Sequence, residues 1–349
     1  MLDDRNALFE ALSRPDSSIT EATVQCVREA SGYSKEEPDS SAMHSNVNEH
    51  LLYLSEAVRS GEVELFTEYM HWAQSLEAEG GYSQHYLETV LQCLQKVLGY
   101  HLPESQARFV DPFLDAAVAA LYDDTTPPAS YISAKSPLAE QAQTYLDALL
   151  AGKRHDALQL IQTMARGGAP VQDIYLDVFQ SVQYEIGRLW QLNQISVAQE
   201  HFCTAVTQMA MAQLYPYIFA TRRVGRTLVA SCVGGELHEL GPRMVADFFE
   251  MAGWDTYYLG ANTPSASVIQ TVLDQRADVV GISVTMTYYV HKAQDLIAAL
   301  RDELGDSVRI LVGGYPFVIS TTLARDIGAD GSAQNAQDAV RLAEHLVAS

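Results

Sequence analysis

The run Arg226–Trp254, RTLVASCVGGELHELGPRMVADFFEMAGW, decides how the C-terminal part of the chain is read. RTLVASC is a short apolar run of the length of a buried strand, and LGPRMVADFFEMAG carries apolar residues at helical spacing. GGELHELG (Gly234–Gly241) joins them, so His238 stands where a strand hands over to a helix, with Glu236 two residues before it. Downstream, DTYYLG, DVVGISV and RILVGG read as further strands, and SASVIQTVLDQ, HKAQDLIAALRDEL and QNAQDAVRLAEHLVA as helices. This alternation predicts a doubly wound parallel sheet, one Rossmann-like domain over 223–349. Ligands of such sheets bind outside the carboxyl ends of the strands. That makes GGELHELG, SVTMTYY and GGYPF the loops to watch.

Upstream the period is helical. Segments 138–151, 155–166, 171–191 and 195–219 are joined by short loops and predict an antiparallel four-helix bundle over 138–222. A polar stretch, YDDTTPPASYISAKSP, marks a linker at 126–137. Residues 1–125 read as an all-helical domain of five or six helices, with a second polar stretch, GYSKEEPDSSAMHSN, at 32–46. The expected fold class is multidomain α plus α/β.

Composition sets limits. Acidic residues outnumber basic ones 44 to 22 in 349 residues, a formal charge of −22. Nucleic-acid affinity rests on Lys and Arg meeting phosphate, so direct nucleic-acid binding is not expected. No apolar run approaches the ~20 residues of a membrane span. The first twenty residues carry charges throughout and lack an apolar segment, so the reading is soluble and cytoplasmic. The four cysteines, Cys26, Cys93, Cys203 and Cys232, form no CxxC pair and read as buried free thiols.

His238 can offer one ring nitrogen to a metal if the other is held, and Glu236 is placed to hold it. The bland alternative is a solvated loop histidine. Glycines at 241, 313 and 314 let backbone approach a bulky ligand, and Ser283 and Thr285 can line a narrow slot with hydroxyls. GxGxxG and a Walker lysine are both absent, so phosphate cradling has little support.

The complete set is E-x-H-x-x-G, 41 residues, S-x-T, 27 residues, GG. It resembles the cobalamin-binding module shared by methionine synthase, corrinoid proteins and B12-dependent mutases. The resemblance implies that His238 is the lower axial cobalt ligand. It implies that the displaced nucleotide tail threads past Gly241, Ser283, Thr285, Gly313 and Gly314. Glu236 stands where most of that family has Asp.

In the bundle, Trp190 is followed after nine residues by Glu200 and His201. Trp190 alone could be core, and Glu200 or His201 alone could face solvent. Together W-x9-EH resembles the signature of CarH/LitR-type B12-dependent photoreceptors. There the bundle caps adenosylcobalamin, with the tryptophan and the Glu–His pair against the adenosyl group. The resemblance implies light sensing by loss of that group, with a light-dependent homo-oligomer and an unknown downstream protein partner. The chain departs from the family in lacking a basic DNA-binding domain. It also has Gln191 where the best-known members have a histidine that binds cobalt after photolysis. A related sub-family, the photocobilins, adds a helical domain holding biliverdin. Residues 1–125 are compatible with that, with His71 and Trp72 as candidate wall residues. The alternatives are a corrinoid methyl carrier of a methyltransferase system and a B12-level-sensing antirepressor. None of these readings makes the chain itself an enzyme.

Overall fold

The computed structural model describes residues 2–14, 18–31, 40–80, 84–123, 129–219 and 221–348. Part of each polar stretch, 32–39 and 124–128, lies outside the described residues. The chain divides into two compact units. The first is Met1–Thr126 with Thr285–Gln294 and Tyr315–Ile327; the second is Pro127–Val284 with Asp295–Gly314 and Gly328–Ser349.

The first unit contains helices α1 (Leu2–Leu12), α2 (Ser18–Ser31), α3 (Ser40–Ser60), α4 (Val63–Gly80), α5 (Gln84–His101) and α6 (Glu104–Ala120). Leu51, Leu54, Ala57 and Val58 of α3 and Leu65, Phe66, Met70 and Ala73 of α4 are buried. Those are the faces that the helical period marks. Cys26 and Cys93 form a disulfide between α2 and α5, with Cα atoms 5.7 Å apart. This corrects the expectation of free thiols at both positions. The partners are 67 residues apart in sequence, and only the packing of α2 on α5 brings them together. Cys203 and Cys232 are buried and free. Burial pushes their thiols up to about 11 and about 12.

The second unit opens with α7 (Ala139–Leu150) and α8 (Arg154–Arg166). A third helical stretch runs through α9 (Val171–Asp173), a π-helical segment (Ile174–Gln180) and α10 (Ser181–Gln191). α11 (Val197–Ala212) completes the bundle, and α12 (Tyr215–Ile218) leads out of it. The α/β part follows as β1 (Thr227–Cys232), α13 (Leu240–Met251), β2 (Asp255–Tyr258), α14 (Ser265–Gln275) and β3 (Val279–Ser283). After β3 come a 3-10 turn (Thr287–Tyr289), α15 (Val290–Leu304), β4 (Arg309–Gly313), α16 (Tyr315–Ile319) and α17 (Leu323–Asp326). β5 (Gly331–Ser332) and α18 (Ala336–Ala348) end the chain.

All strand pairs are parallel, in the order β2-β1-β3-β4-β5. β1 is buried along nearly its whole length, as a central strand covered on both faces must be. β5 has only two residues, too short to show a period, and is the strand that sequence reading misses. Bundle and sheet share one core. Within the π segment Tyr175 and Phe179 meet edge-on at 5.3 Å, and they meet Phe248 at 6.0 Å and Tyr145 at 5.7 Å respectively. Each such ring contributes about 1.5–3 kcal/mol by leaving water, which holds the bundle over α13.

Candidate functional site

The strand register sets three loops side by side. Cys232 of β1 pairs with Ser283 of β3, and Ser283 pairs with Gly313 of β4. The loops starting at Val233, Val284 and Gly314 therefore leave the sheet from one rung, at its carboxyl edge.

The first loop is tightly tied. Gly235 takes a positive φ of 89°, and its N–H donates to Asn262 Oδ1 at 2.7 Å. Asn262 N–H donates in turn to the Glu236 carbonyl at 2.9 Å. Glu236 is fully buried. Its Oε1 accepts from the His238 backbone N–H at 2.9 Å and lies 2.6 Å from His238 Nδ1. A carboxylate there makes Nδ1 the protonated nitrogen and leaves the Nε2 lone pair for a ligand. The His238 side chain is 58 % exposed. Its pKa is raised, first by the hydrogen bond to Glu236 and further by the charges of Glu236 and Glu200.

Around this imidazole the chain leaves room. A Cβ at Gly241 or Gly313 would meet no atom within 4 Å, and Gly314 holds a φ of 113° that other residues rarely adopt. Ser283 is 9 % exposed at the end of β3, and Thr285, two residues on, is partly exposed. Among the described residues, no group of three or more His, Cys, Asp or Glu could hold a bare metal ion. One exposed histidine with its other nitrogen engaged, beside open glycine positions, fits a metal carried in a macrocycle.

The W-x9-EH spacing turns out to be one helix–helix corner. Trp190 and Gln191, both partly buried, close α10, and Asn193 turns the chain at φ 53°. Ser196 then caps α11 in a reciprocal box with Gln199. Glu200 falls in the first turn of α11, and His201 follows it. Trp190 packs against the bundle core. Glu200 accepts from Thr204 Oγ1 at 2.9 Å. His201 is 75 % exposed, with Nε2 3.5 Å from Glu200 Oε2.

Sequence reading misses the joint between this corner and the loop. Glu239 Oε1 accepts from Gln208 Nε2 of α11 at 2.9 Å, and Glu239 Oε2 accepts from the Ala261 N–H at 3.2 Å. The signal was present. Glu200, Thr204 and Gln208 recur every four residues, a polar stripe along α11. In the first unit, Trp72 lies 5.7 Å from Tyr69 ring to ring. His71 faces carboxylates, Glu68 at 3.5 Å and Asp123 at 3.4 Å.

Comparison with known proteins agrees with this geometry. Residues 226–341 match a B12 binding domain, and residues 141–215 match a second B12 binding domain. Dimethylamine corrinoid protein 3 of Methanosarcina mazei is 31 % identical over 168 residues, 48 % of this chain and 97 % of the relative. The dimethylamine corrinoid protein of Methanosarcina barkeri is 28 % identical over 216 residues, 60 % of this chain and 98 % of the relative. The solved monomethylamine corrinoid protein of Methanosarcina barkeri superposes with a TM-score of 0.54 at 23 % identity, over 60 % of this chain and 99 % of that one. That last likeness is one of fold: helical cap and parallel Rossmann-like sheet. Among the described residues no helix is long and apolar enough to cross a membrane.

Proposed function

The chain belongs to the family of B12-binding corrinoid proteins; from the geometry of its α10–α11 corner, and not from that family, we propose that it is a light-sensing signalling protein using adenosylcobalamin. Adenosylcobalamin, when bound, supplies a light-labile cobalt–carbon bond. His238 Nε2 would hold the cobalt, and Glu236 would fix the imidazole for that task. Gly241, Ser283, Thr285, Gly313 and Gly314 line the slot for the nucleotide tail.

The α10–α11 corner carries this reading. It puts an indole and a carboxylate on the cap, and the charge of Glu200 reaches His238. A nucleoside offers a flat base to Trp190 and hydroxyl donors to Glu200; a methyl group offers neither. Gln191 would be a weak ligand for cobalt(III), and His201, 75 % exposed in the same corner, would be the alternative. A bound nucleoside would add packing between corner and sheet, and its loss would favour a different bundle packing and, with it, a different assembly.

A second reading is favoured by the relatives, which are named as dimethylamine corrinoid proteins. In it the chain carries methyl groups to and from a partner methyltransferase. Similarity to those proteins weighs more for carriage than for light sensing. The family matches lie at 141–215 and 226–341, and the helices of 1–126 fall outside both.

In the light-sensing reading the helices of 1–126 would hold biliverdin. Tyr53 and Tyr69 stack at 3.6 Å, and His50, 3 % exposed, has an Nε2 with no hydrogen-bond partner. Burial lowers the His50 pKa to about 4, so it stays neutral.

Absorption spectra and size-exclusion chromatography with adenosylcobalamin, dark and then illuminated, test the proposal. Photolysis with a change in elution is expected. Unchanged elution after confirmed photolysis, with methyl turnover by an added methyltransferase, would establish the carrier. A change caused in the dark by the cofactor alone would point to a B12-level sensor. Biliverdin binding should add a far-red band.

A further inference from the structure

The loop after β3 begins at the cofactor slot, with Ser283 and Thr285, yet from Thr285 to Gln294 it belongs to the same compact unit as residues 1–126. Glu56 of α3 is 1 % exposed. Its Oε2 lies 3.0 Å from His291 Nδ1 and its Oε1 3.7 Å from Arg59 Nη1. Phe9 of α1 packs on the His291 ring at 4.9 Å, and the Arg59 guanidinium sits 5.3 Å over the Phe9 ring. One turn earlier on α3, the Tyr53 ring meets Tyr288 edge-on at 5.2 Å. A carboxylate taken out of water needs its partners, and a buried charge stripped of them is strongly destabilising. The loop is therefore held by a dry, directional contact to α3 rather than by general packing.

We infer that the Glu56–His291 pair is a positioning joint: through it the N-terminal helices set the loop that lines the corrinoid slot, and so set how tightly corrinoid is held. The inference rests on the cobalamin reading and is independent of light. By reciprocity, corrinoid in the slot also orders α3, since coupling between two sites works equally in both directions.

The test uses the full chain and hydroxocobalamin in the dark. Glu56→Gln and His291→Gln each speed corrinoid release by roughly 5-fold or more, and the double variant is no faster than the worse single, because one contact is lost in all three. Glu104→Gln, in an exposed ion pair with Arg108, leaves release unchanged. A structural role alone would lower melting temperature and leave release within about two-fold of wild type, which overturns the inference. Hydrogen exchange on the wild type covers the case in which a variant fails to fold. Added hydroxocobalamin increases amide protection in α3 around Tyr53–Arg59 as well as in 285–294, and protection confined to the second unit overturns the joint. A wild type that binds no corrinoid overturns the cobalamin reading and the joint together; tight binding with unchanged release overturns the joint alone.

Discussion

Glu236 decides what His238 can do. The carboxylate is buried, shares one oxygen between the backbone and ring nitrogens of His238, and leaves Nε2 as the free face of the ring. It also raises the pKa of His238, so the folded state holds the imidazolium more tightly than the unfolded chain does. The stability this adds is fully present below the ordinary histidine value of ~6.5 and is lost as pH rises through the raised value. Glu236→Gln keeps an acceptor and removes the charge. Its deficit against wild type in urea unfolding should be largest near pH 6 and shrink toward pH 9; a deficit independent of pH would mean that the pair carries no charge. His238→Ala should remove the histidine-ligated corrin spectrum altogether, and a spectrum identical to wild type would place the axial ligand elsewhere. This pair was legible from the sequence, because E-x-H needs only a strand end and two residues of chain. The ties from Asn262 and Glu239 were not, since each depends on loops that meet only once the sheet has formed.

At the scale of elements, the third bundle helix governs how the cap sits. Its π segment widens the helix at Tyr175, whose hydroxyl donates to Asp247 Oδ2 of α13 at 2.8 Å. Periodicity shows one amphipathic helix over 171–191 and cannot show that wide turn, because one inserted residue hardly disturbs a pattern of buried positions. Asp247 is 4 % exposed, and burial pushes its carboxyl up to about 6 despite Tyr175, Tyr215 and Arg243 around it. An acid held protonated by the fold costs stability as pH rises from ~4 to about 6. The cost is on the order of 2–3 kcal/mol. Asp247→Asn keeps an acceptor for Tyr175 and should flatten the stability curve across that window; an unchanged slope would locate the titration elsewhere. The next element is the corner. Trp190→Ala should leave hydroxocobalamin binding near wild type and weaken adenosylcobalamin by 10-fold or more, about 1.4 kcal/mol. Equal weakening of both corrinoids would make Trp190 a core residue only. The corner was legible as a spacing, and capping by Ser196 and Gln199 is the physical reason that the spacing is nine.

For the whole molecule, the chain order and the packing order differ, and that has a consequence for cutting it. The dimethylamine corrinoid protein 3 of Methanosarcina mazei is matched over 97 % of its length by 168 residues, 48 % of this chain. In this chain the segments after β3 and β4 cluster with residues 1–126 rather than with the sheet. Val290, Phe317 and Leu323 are buried at 1 %, 5 % and 1 %. They sit in stretches that cluster with residues 1–126, where α16 packs on α4 and Thr322 donates to Glu62 Oε1 at 3.0 Å. Sequence reading places the division at a polar linker and takes everything beyond it as self-sufficient. It cannot see that a loop between a strand and a helix completes a distant core. A fragment starting at Pro127 would leave those apolar side chains without the helices they pack on. It should bind a hydrophobic dye and lose amide protection in 285–294 and 315–327, while β1, buried within its own unit, stays protected. A dye-silent fragment with full protection in 315–327 would show that those segments do not depend on the helices of 1–126 for their burial.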